Sequence, residues 1–346
     1  MFDELVKSTS RWLLEPGPSS DIVISSRVRL ARNVNGFSFS HNLNEKDAEE
    51  LVGMVSRAVE KSKLFKGVKA VDLLALPELD RIVLMERHIM SYDHVINDRK
   101  RAVIFSKDES VSVMINEEDH LRLQILLPGI QLEECYAALD KLDTELEKKI
   151  TYAYDIDVGY LSACPTNTGT GLRASVMAHL PGLVISKEIT KVLNNIAQMG
   201  LVARGFYGEG IDIKTPFFQI SNQVSLGHSE AEIIDEVDKV TKQLIDYEKK
   251  ARESLFKNAR NKTEDNIWRS YGILKNVRSI NFEEAITLLS SLRLGIESGI
   301  VKADIRSVNE LLIITQPGHI QKLFAKEMNE LERDQKRAEI IRGKLG

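Results

Sequence analysis

Apolar positions along the chain repeat with two periods, and the change of period marks the elements. The run Asp21-Ile-Val-Ile-Ser-Ser-Arg-Val-Arg-Leu-Ala-Arg32 is dense in β-branched residues and predicts a strand. Residues 45–63 set Leu51, Val55, Ala58 and Val59 at helical spacing behind Asn44, a capping residue type, and predict an amphipathic helix. Between 70 and 127 the apolar runs are short: 71–76, 81–90, 101–105, 111–115 and 121–127, parted by polar breaks such as Lys107-Asp-Glu-Ser110. Read as strands, they must be antiparallel, because a parallel neighbour needs a crossover of about a dozen residues. A helix over roughly 130–150 follows, with Cys135, Leu139, Leu142 and Leu146 on one stripe. The pattern then predicts a strand at 158–163, a loop at 164–171, a short helix at 172–180 and a helix at 187–199. Strands at 200–207 and 217–226 and a long helix over about 229–257 complete this part.

Beyond that point no strand pattern recurs. Residues 263–273, 282–294, 307–314 and 320–342 each carry helical periodicity, and the polar stretch Asn258-Ala-Arg-Asn-Lys-Thr263 marks a boundary. The fold class expected is α+β, an antiparallel sheet flanked by helices over 1–257, followed by a small all-helical domain over 258–346.

Composition narrows the setting. A chain of 346 residues, 43% hydrophobic and 28% charged, can bury a substantial core without disulfide staples. A net charge of −4 argues against nonspecific nucleic-acid binding as the main task. Cys135 and Cys164 make no disulfide framework, which points to a reducing cytoplasm. The acidic start Met-Phe-Asp-Glu does not read as a signal peptide, and no stretch approaches the roughly 18 apolar residues of a membrane span.

Four segments carry candidate chemistry. In Ser25-Ser26-Arg27-Val28-Arg29, alternation on a strand turns Arg27 and Arg29 to one face, where paired guanidinium forks suit phosphate oxygens. Alone, the pair reads more plainly as two solvated arginines. Asn116-Glu-Glu-Asp-His-Leu-Arg122 brings acids close to a further fork. Its His120 is, by type, more often a structural hydrogen-bonder, and the zinc pattern HExxH is absent. Cys164-Pro-Thr-Asn-Thr-Gly-Thr-Gly-Leu-Arg173 is a polar loop whose backbone donors can receive an anion, although no P-loop lysine follows its glycines. Its Cys164 is a candidate activated thiolate if cations face it. Arg204-Gly-Phe-Tyr-Gly-Glu-Gly210 has the make-up of a loop that closes over a ligand.

Taken in order, Ser-Arg-Val-Arg, Asn-Glu-Glu-Asp-His-Leu-Arg, Cys-Pro-Thr-Asn-x-Gly-Thr-x-x-Arg-Ala-Ser and Arg-Gly-x-x-Gly-Glu closely resemble the guanidino phosphotransferases, the family of creatine and arginine kinases, over about residues 21–250. That family moves the γ-phosphoryl of MgATP to a guanidinium nitrogen. The resemblance implies that Arg27, Arg29, Arg122, Arg173 and Arg204 clamp the nucleotide phosphates. It places Ser25, Ser26, Val28, Ala174, Ser175, Val176, Met177, Gly205, Phe206, Tyr207 and Gly208 in the same nucleotide-binding motifs, with His88 beside them. It further implies Glu118 as the carboxylate that deprotonates the guanidinium, Glu209 as a second carboxylate and Cys164 as a reactive thiol beside the substrate. Glu117 and Glu118 are adjacent, and only motif register separates them. Magnesium is expected to arrive on the ATP, with no dedicated protein metal site.

Only 24 residues precede Ser25, where small-molecule phosphagen kinases carry a helical domain. The 258–346 segment has no counterpart in those enzymes, and Tyr207 stands where they carry an arginine. The first two departures match the bacterial McsB branch, the protein-arginine kinases. Arg333-Asp334-Gln-Lys-Arg337-Ala338 fits that branch's RDxxRA motif, associated with phosphoarginine binding and allosteric activation. The branch implies protein substrates with exposed arginines, a Clp-type AAA+ protease that takes the marked proteins, a heat-shock repressor as target, a zinc-binding activator and a homodimer. Two other readings stay open: a truncated phosphagen kinase acting on free arginine or creatine, and a noncatalytic phosphoarginine-binding adaptor.

Overall fold

The computed structural model describes residues 2–65, 68–95, 99–205 and 215–346. Its centre is an eight-stranded antiparallel sheet. The strands are β1 (Val23–Arg32), β2 (Val71–Asp72), β3 (Ala102–Phe105), β4 (Val111–Ile115), β5 (Leu121–Pro128), then β8 (Leu172–His179), β9 (Leu201–Gly205) and β10 (Phe217–Asn222). A separate ribbon pairs β6 (Tyr154–Asp155) with β7 (Gly159–Tyr160). The sheet order is β2-β3-β4-β5-β1-β8-β10-β9, so β1 lies between β5 and β8 with both edges paired.

The helices are α1 (Phe2–Leu5), α2 (Arg11–Leu14), α3 (Glu45–Val59), α4 (Glu78–Glu86), α5 (Leu132–Glu147), α6 (Pro181–Ile185), α7 (Ile189–Gln198) and α8 (Glu230–Asn258). Five more follow: α9 (Arg260–Asn276), α10 (Phe282–Glu297), α11 (Ile305–Ile314), α12 (Pro317–Leu323) and α13 (Glu330–Leu345). One sheet face is dry. Val28, Leu30, Ala174, Val176 and Ile220 meet Leu51 and Val55 of α3, the α5 stripe of Cys135, Leu139, Leu142 and Leu146, and Val237 and Leu244 of α8. Each such leucine contributes roughly 1.5–3 kcal/mol by leaving water. The other face divides in two. Ile24, Leu126, Met177 and Phe217 share a core with Trp12 of α2 and the apolar sides of α9, α10, α11 and α13. The rest of that face is polar and open.

The helical segment is therefore seated on the sheet. Buried Arg293 of α10 donates to the carbonyls of Asp21 (2.9 Å) and Ser20 (2.5 Å). The Glu86 carboxylate at the end of α4 accepts from the Gly318 and His319 amides, 2.7 and 2.8 Å, at the start of α12. A helix N-terminus has unpaired donors, and a carboxylate satisfies them.

Five expected elements differ. The run at 71–76 is strand only over Val71–Asp72 and goes on as a 3₁₀ turn over Leu73–Ala75. The run at 81–90 lies mostly in helix α4: Pro77 precedes it, acids open it, and Asp80, Val83 and Leu84 are buried at helical spacing. An unbroken apolar run does not by itself separate strand from helix. Residues 172–180, expected as a short helix, form the central strand β8, because β1 and β10 offer two open ladders. The strand expected at 158–163 shrinks to Gly159–Tyr160. The single helix expected over 320–342 is two. The chain turns at Ala325 (φ 49°), and Asn329 restarts it through a capping box with Glu332.

Candidate active site

Strand alternation builds the site. On β1 the odd positions Ser25, Arg27 and Arg29 face away from the dry core. The ladder sets Arg29 opposite Arg173 and Gln124, and Arg27 opposite Ser175. Arg122 on β5 pairs with Ala31 of the same parity, and Arg204 on β9 pairs with Gln219 of β10. Arg27, Arg29, Arg122, Arg173 and Arg204, with His88, line one cleft of about 500 Å³. The segment after α4 and Gln316 of the helical segment supply its far wall.

The charges in this cleft are not balanced. Among the described residues, Arg27 and Arg29 make no ion pair, and the buried Nε atoms of Arg29 and Arg173 have no hydrogen-bond partner. Burial, then the charges of Arg122 and Arg173, hold Arg27 down to about 9. Burial, then Arg204 and Arg122, hold Arg173 to about 10. Burial and its three neighbours push Arg29 well below its ordinary value. Each shift records the cost of crowding cations in a half-dry cleft, and an anion removes that cost. His88 stands in a left-handed conformation (φ 60°), its carbonyl accepting from Gln124 Nε2 at 2.8 Å. Burial, then Arg27, lowers it to about 3, so it is neutral at physiological pH. Ser25, Ser175 and Met177 continue the cleft into an apolar slot with Trp12 and Leu312.

The carboxylates sit at one edge, on the β4–β5 turn. Asn116 takes the left-handed conformation that asparagine tolerates (φ 60°) and starts the turn. Glu117 is buried and spent: its oxygens accept from Arg122 at 2.6 and 2.7 Å and from Ser91. Against the cost of burial, Arg122 and Ser91 hold Glu117 well below the usual carboxylate range. Glu118 is exposed, and its Oε2 accepts from Asn167 at 3.2 Å. Partial burial raises its pKa, against the pull of Arg122. The two adjacent acids are thus unlike: one is a structural counter-ion, and the other an exposed carboxylate of raised basicity with no ion pair among the described residues.

Asp119 ties this turn to the Cys164 loop. Its Oδ1 accepts from the Asn33 amide and the Ala163 backbone, both at 2.7 Å. Cys164 Sγ lies 3.1 Å from Thr166 Oγ1, Asn167 of the same loop donates to Glu118, and the Glu118 charge acts on Arg173. The cation cleft, Glu118 and Cys164 therefore adjoin.

Other expected residues lie elsewhere. The side chains of Ser26, Val28, Ala174 and Val176 have even–odd parity opposite to the arginines and point into the dry core, where Ser26 donates to the Gly129 carbonyl. The motif spans both faces, and only one face meets the cleft. Gly205 ends β9 beside Arg204. Glu209, Phe206, Tyr207 and Gly208 lie outside the described residues. Arg333 and Arg337 fall one turn apart on α13. Arg337 is buried, donating to the carbonyls of Thr315 and Ile280 (both 2.8 Å) and pairing with Asp334, while Arg333 donates to the Met328 carbonyl at 2.9 Å. Ala338 packs in the core below.

Sequence reading passed over Gln219, Ser221, Ser91, Asn33 and Gln316. The polar positions of Phe217-Phe-Gln-Ile-Ser-Asn222 carry a signal: alternation puts Gln219 and Ser221 beside Arg204 and Arg173. Nothing local marks Gln316, which arrives from 230 residues beyond Glu86, whose carbonyl it binds.

Comparison with known proteins agrees with this geometry. Residues 50–251 match the family model of the ATP:guanido phosphotransferase C-terminal catalytic domain, and 260–346 match the protein-arginine kinase McsB C-terminal domain. The chain belongs to the protein-arginine kinase branch of the ATP:guanido phosphotransferases. A protein-arginine kinase of Symbiobacterium thermophilum is 44% identical, covering 99% of both chains. One of Halothermothrix orenii is 44% identical over 99% of this chain and 98% of its own. Solved guanidino kinases share the fold. A duplicated taurocyamine kinase of Schistosoma mansoni gives a TM-score of 0.59 at 22% identity, over 83% of this chain and 45% of that one. A lombricine kinase gives 0.59 at 21% identity, over 72% and 76%. Among the described residues no helix is long and apolar enough to cross a membrane. Nor do three His, Cys, Asp or Glu side chains gather there as a metal site.

Proposed function

We propose that this chain is an ATP-dependent kinase of arginine residues in proteins. One observation carries the reading: four strands turn five arginines onto one face, two of them without a counter-ion among the described residues, next to the exposed carboxylate of Glu118. The substrate is MgATP, whose metal travels on the phosphates and screens their charge.

Arg27, Arg29, Arg122, Arg173 and Arg204 bind the phosphate chain and hold the γ-phosphorus at the Glu118 edge. A guanidinium is a poor nucleophile while protonated, with a pKa around 12.5–13.8. Glu118 takes its proton as the N–P bond forms and the bond from phosphorus to the leaving ADP oxygen breaks. Charge gathers on that oxygen, and the arginines are already placed to stabilise it. Glu117 keeps Arg122 aligned and is too acidic to be the base. Cys164, beside the same edge, orients the acceptor guanidinium, and Glu209 supplies the second carboxylate.

On the resemblance alone, we further propose a cytoplasmic homodimer. Its marked proteins pass to a Clp-type protease, a heat-shock repressor is among its targets, and a zinc-binding activator raises its activity. Arg333, Asp334, Arg337 and Ala338 form its regulatory phosphoarginine site.

The deciding test supplies ATP and Mg²⁺ with free arginine or an unfolded arginine-rich protein, and Glu118→Ala as control. Acid-labile phosphate on protein arginines, lost in the variant, is the expected result. Phosphate on free arginine alone would return the chain to the metabolic kinases, and phosphate on neither would leave a binding adaptor.

A further inference from the structure

Five large apolar side chains stand in water around the Cys164 loop. On the β6–β7 ribbon, Tyr154 is 56% exposed, Ile156 84% and Val158 37%. Across the loop, Val224 is 48% exposed and Leu226 52%. The two groups are joined through Gly169. A Cβ on Gly159 would meet the Gly169 carbonyl at 2.6 Å, and one on Gly169 would meet Leu226 Cα at 2.9 Å. Ribbon, loop and the 223–228 segment thus pack backbone to backbone, and side chains there would part them.

The base under this rim is fixed. Tyr160 N donates to Gly169 O at 2.8 Å, and Ser225 Oγ donates to Thr168 O at 2.9 Å. Beneath Tyr160, the Arg32 guanidinium lies 3.6 Å from the ring centroid, is paired with Asp143 at 2.7 Å, and donates to Thr170 O at 2.8 Å. Exposed apolar groups on a mobile tip would need no explanation; on a braced base they form a surface. The same loop carries Asn167, which donates to Glu118, so the rim borders the acceptor carboxylate.

Charge on the rim has one sign. Residues 150–172 include Asp155 and Asp157 and no lysine or arginine. Both acids are exposed, and Asp155 shapes the turn by accepting from the Asp157 and Val158 amides at 2.9 and 3.3 Å.

We propose that this rim docks the stretch of substrate polypeptide on either side of the acceptor arginine, and so selects arginines whose sequence neighbours are apolar. The inference rests on the function proposed above. With the arginine side chain at Glu118, its neighbours reach Tyr154, Ile156 and Val158 on one side and Val224 and Leu226 on the other. The acids favour a positively charged segment, and the apolar groups remove neighbouring apolar side chains from water. A free amino acid has nothing to place there.

The test uses the full chain with ATP, Mg²⁺ and two peptides of equal length and charge, one arginine in each, flanked by leucine and phenylalanine or by glycine and serine. The unsubstituted protein is expected to prefer the apolar-flanked peptide about tenfold or more in kcat/KM. In Ile156→Ser/Leu226→Ser the ratio falls toward one, with the loss in KM. Equal use of both peptides by the unsubstituted protein, or a ratio kept in the variant, overturns the docking surface while leaving the kinase in place. Phosphorylation of neither peptide, nor of any arginine, removes the function on which it rests. A sedimentation mass that falls in the variant while the peptide ratio holds would assign the rim to a second copy of the chain and overturn the proposal.

Discussion

Two sets of arginines share this fold, and burial alone does not tell them apart. Arg32, Arg87 and Arg293 are 1–3% exposed at the side chain, and each is paired. Arg32 holds Asp143 and two carbonyls, Arg87 holds Glu109 and the Ser8 carbonyl, and Arg293 holds the Ser20 and Asp21 carbonyls. In the cleft, Arg27 and Arg29 have no such acceptors among the described residues, and the charges acting on them are mainly those of other arginines, with Glu117 the weaker opposing one at Arg29. The first set is structure, since its desolvation is offset inside the protein. The second is a binding site, since its charge is left for a ligand to balance. What separates a site from a brace is the unmet partner.

Four experiments would break or sharpen this contrast. The largest effect is expected at the acid beside the cleft. Glu118→Gln should cut kcat by about 10²–10⁴-fold and leave ATP binding in place. A variant within tenfold of the parent would move the base elsewhere.

Next come paired substitutions in the two sets. Arg293→Met strips a buried cation from its carbonyls and should cost about 3–5 kcal/mol in urea unfolding. Arg29→Met removes a repelled cation, so it should leave the fold as stable or more stable while abolishing nucleotide binding. If both variants lose stability alike, the two sets are not different in kind.

Nucleotide should show the same imbalance. At about a hundred times its dissociation constant, ATP should stabilise the parent by about 2.7 kcal/mol, and Arg29→Met should lose that gain. Thermal melts with and without ATP would read it, and an equal gain in the variant would place the phosphates elsewhere.

The smallest effects are in pH. Glu118 must be ionised to accept a proton, and its pKa is raised, so the acid limb of kcat/KM should lie above the ordinary carboxylate range. Glu117 runs the other way. Its folded-state pKa is lowered, so its support for the fold is present above its unfolded value and is lost as pH falls through the folded one. Ser91→Ala removes one hydrogen bond to it and should cost about 1 kcal/mol. A pH–rate profile unmoved by Glu118→Asp would put the titrating group elsewhere.

Much of the site was legible as pattern. Period-two alternation placed Arg27 and Arg29 together, and four motifs in order identified the family before any geometry. The reading failed where local preference and context disagreed. Leu172–His179, expected as a short helix, became a central strand, since pairing with β1 on one side and β10 on the other outweighs local preference. The motif already named Ser175 and Met177, but a helix at 172–180 could not have set both on the Arg173 face as the strand does.

The sequence by itself determined the residue types, their order and their parity: forks at Arg27 and Arg29, adjacent acids at Glu117 and Glu118, and helices after Asn258. Parity sets Arg32 on the face opposite Arg29, but it could not say which of the two would meet a partner. Asp143 reaches Arg32 from a helix more than a hundred residues later, and no acid reaches Arg29 among the described residues. Likewise, only the folded chain brought Arg122 and Ser91 to Glu117 and left Glu118 exposed. Compensation of a buried charge depends on groups brought together across the chain, so it is decided by tertiary structure.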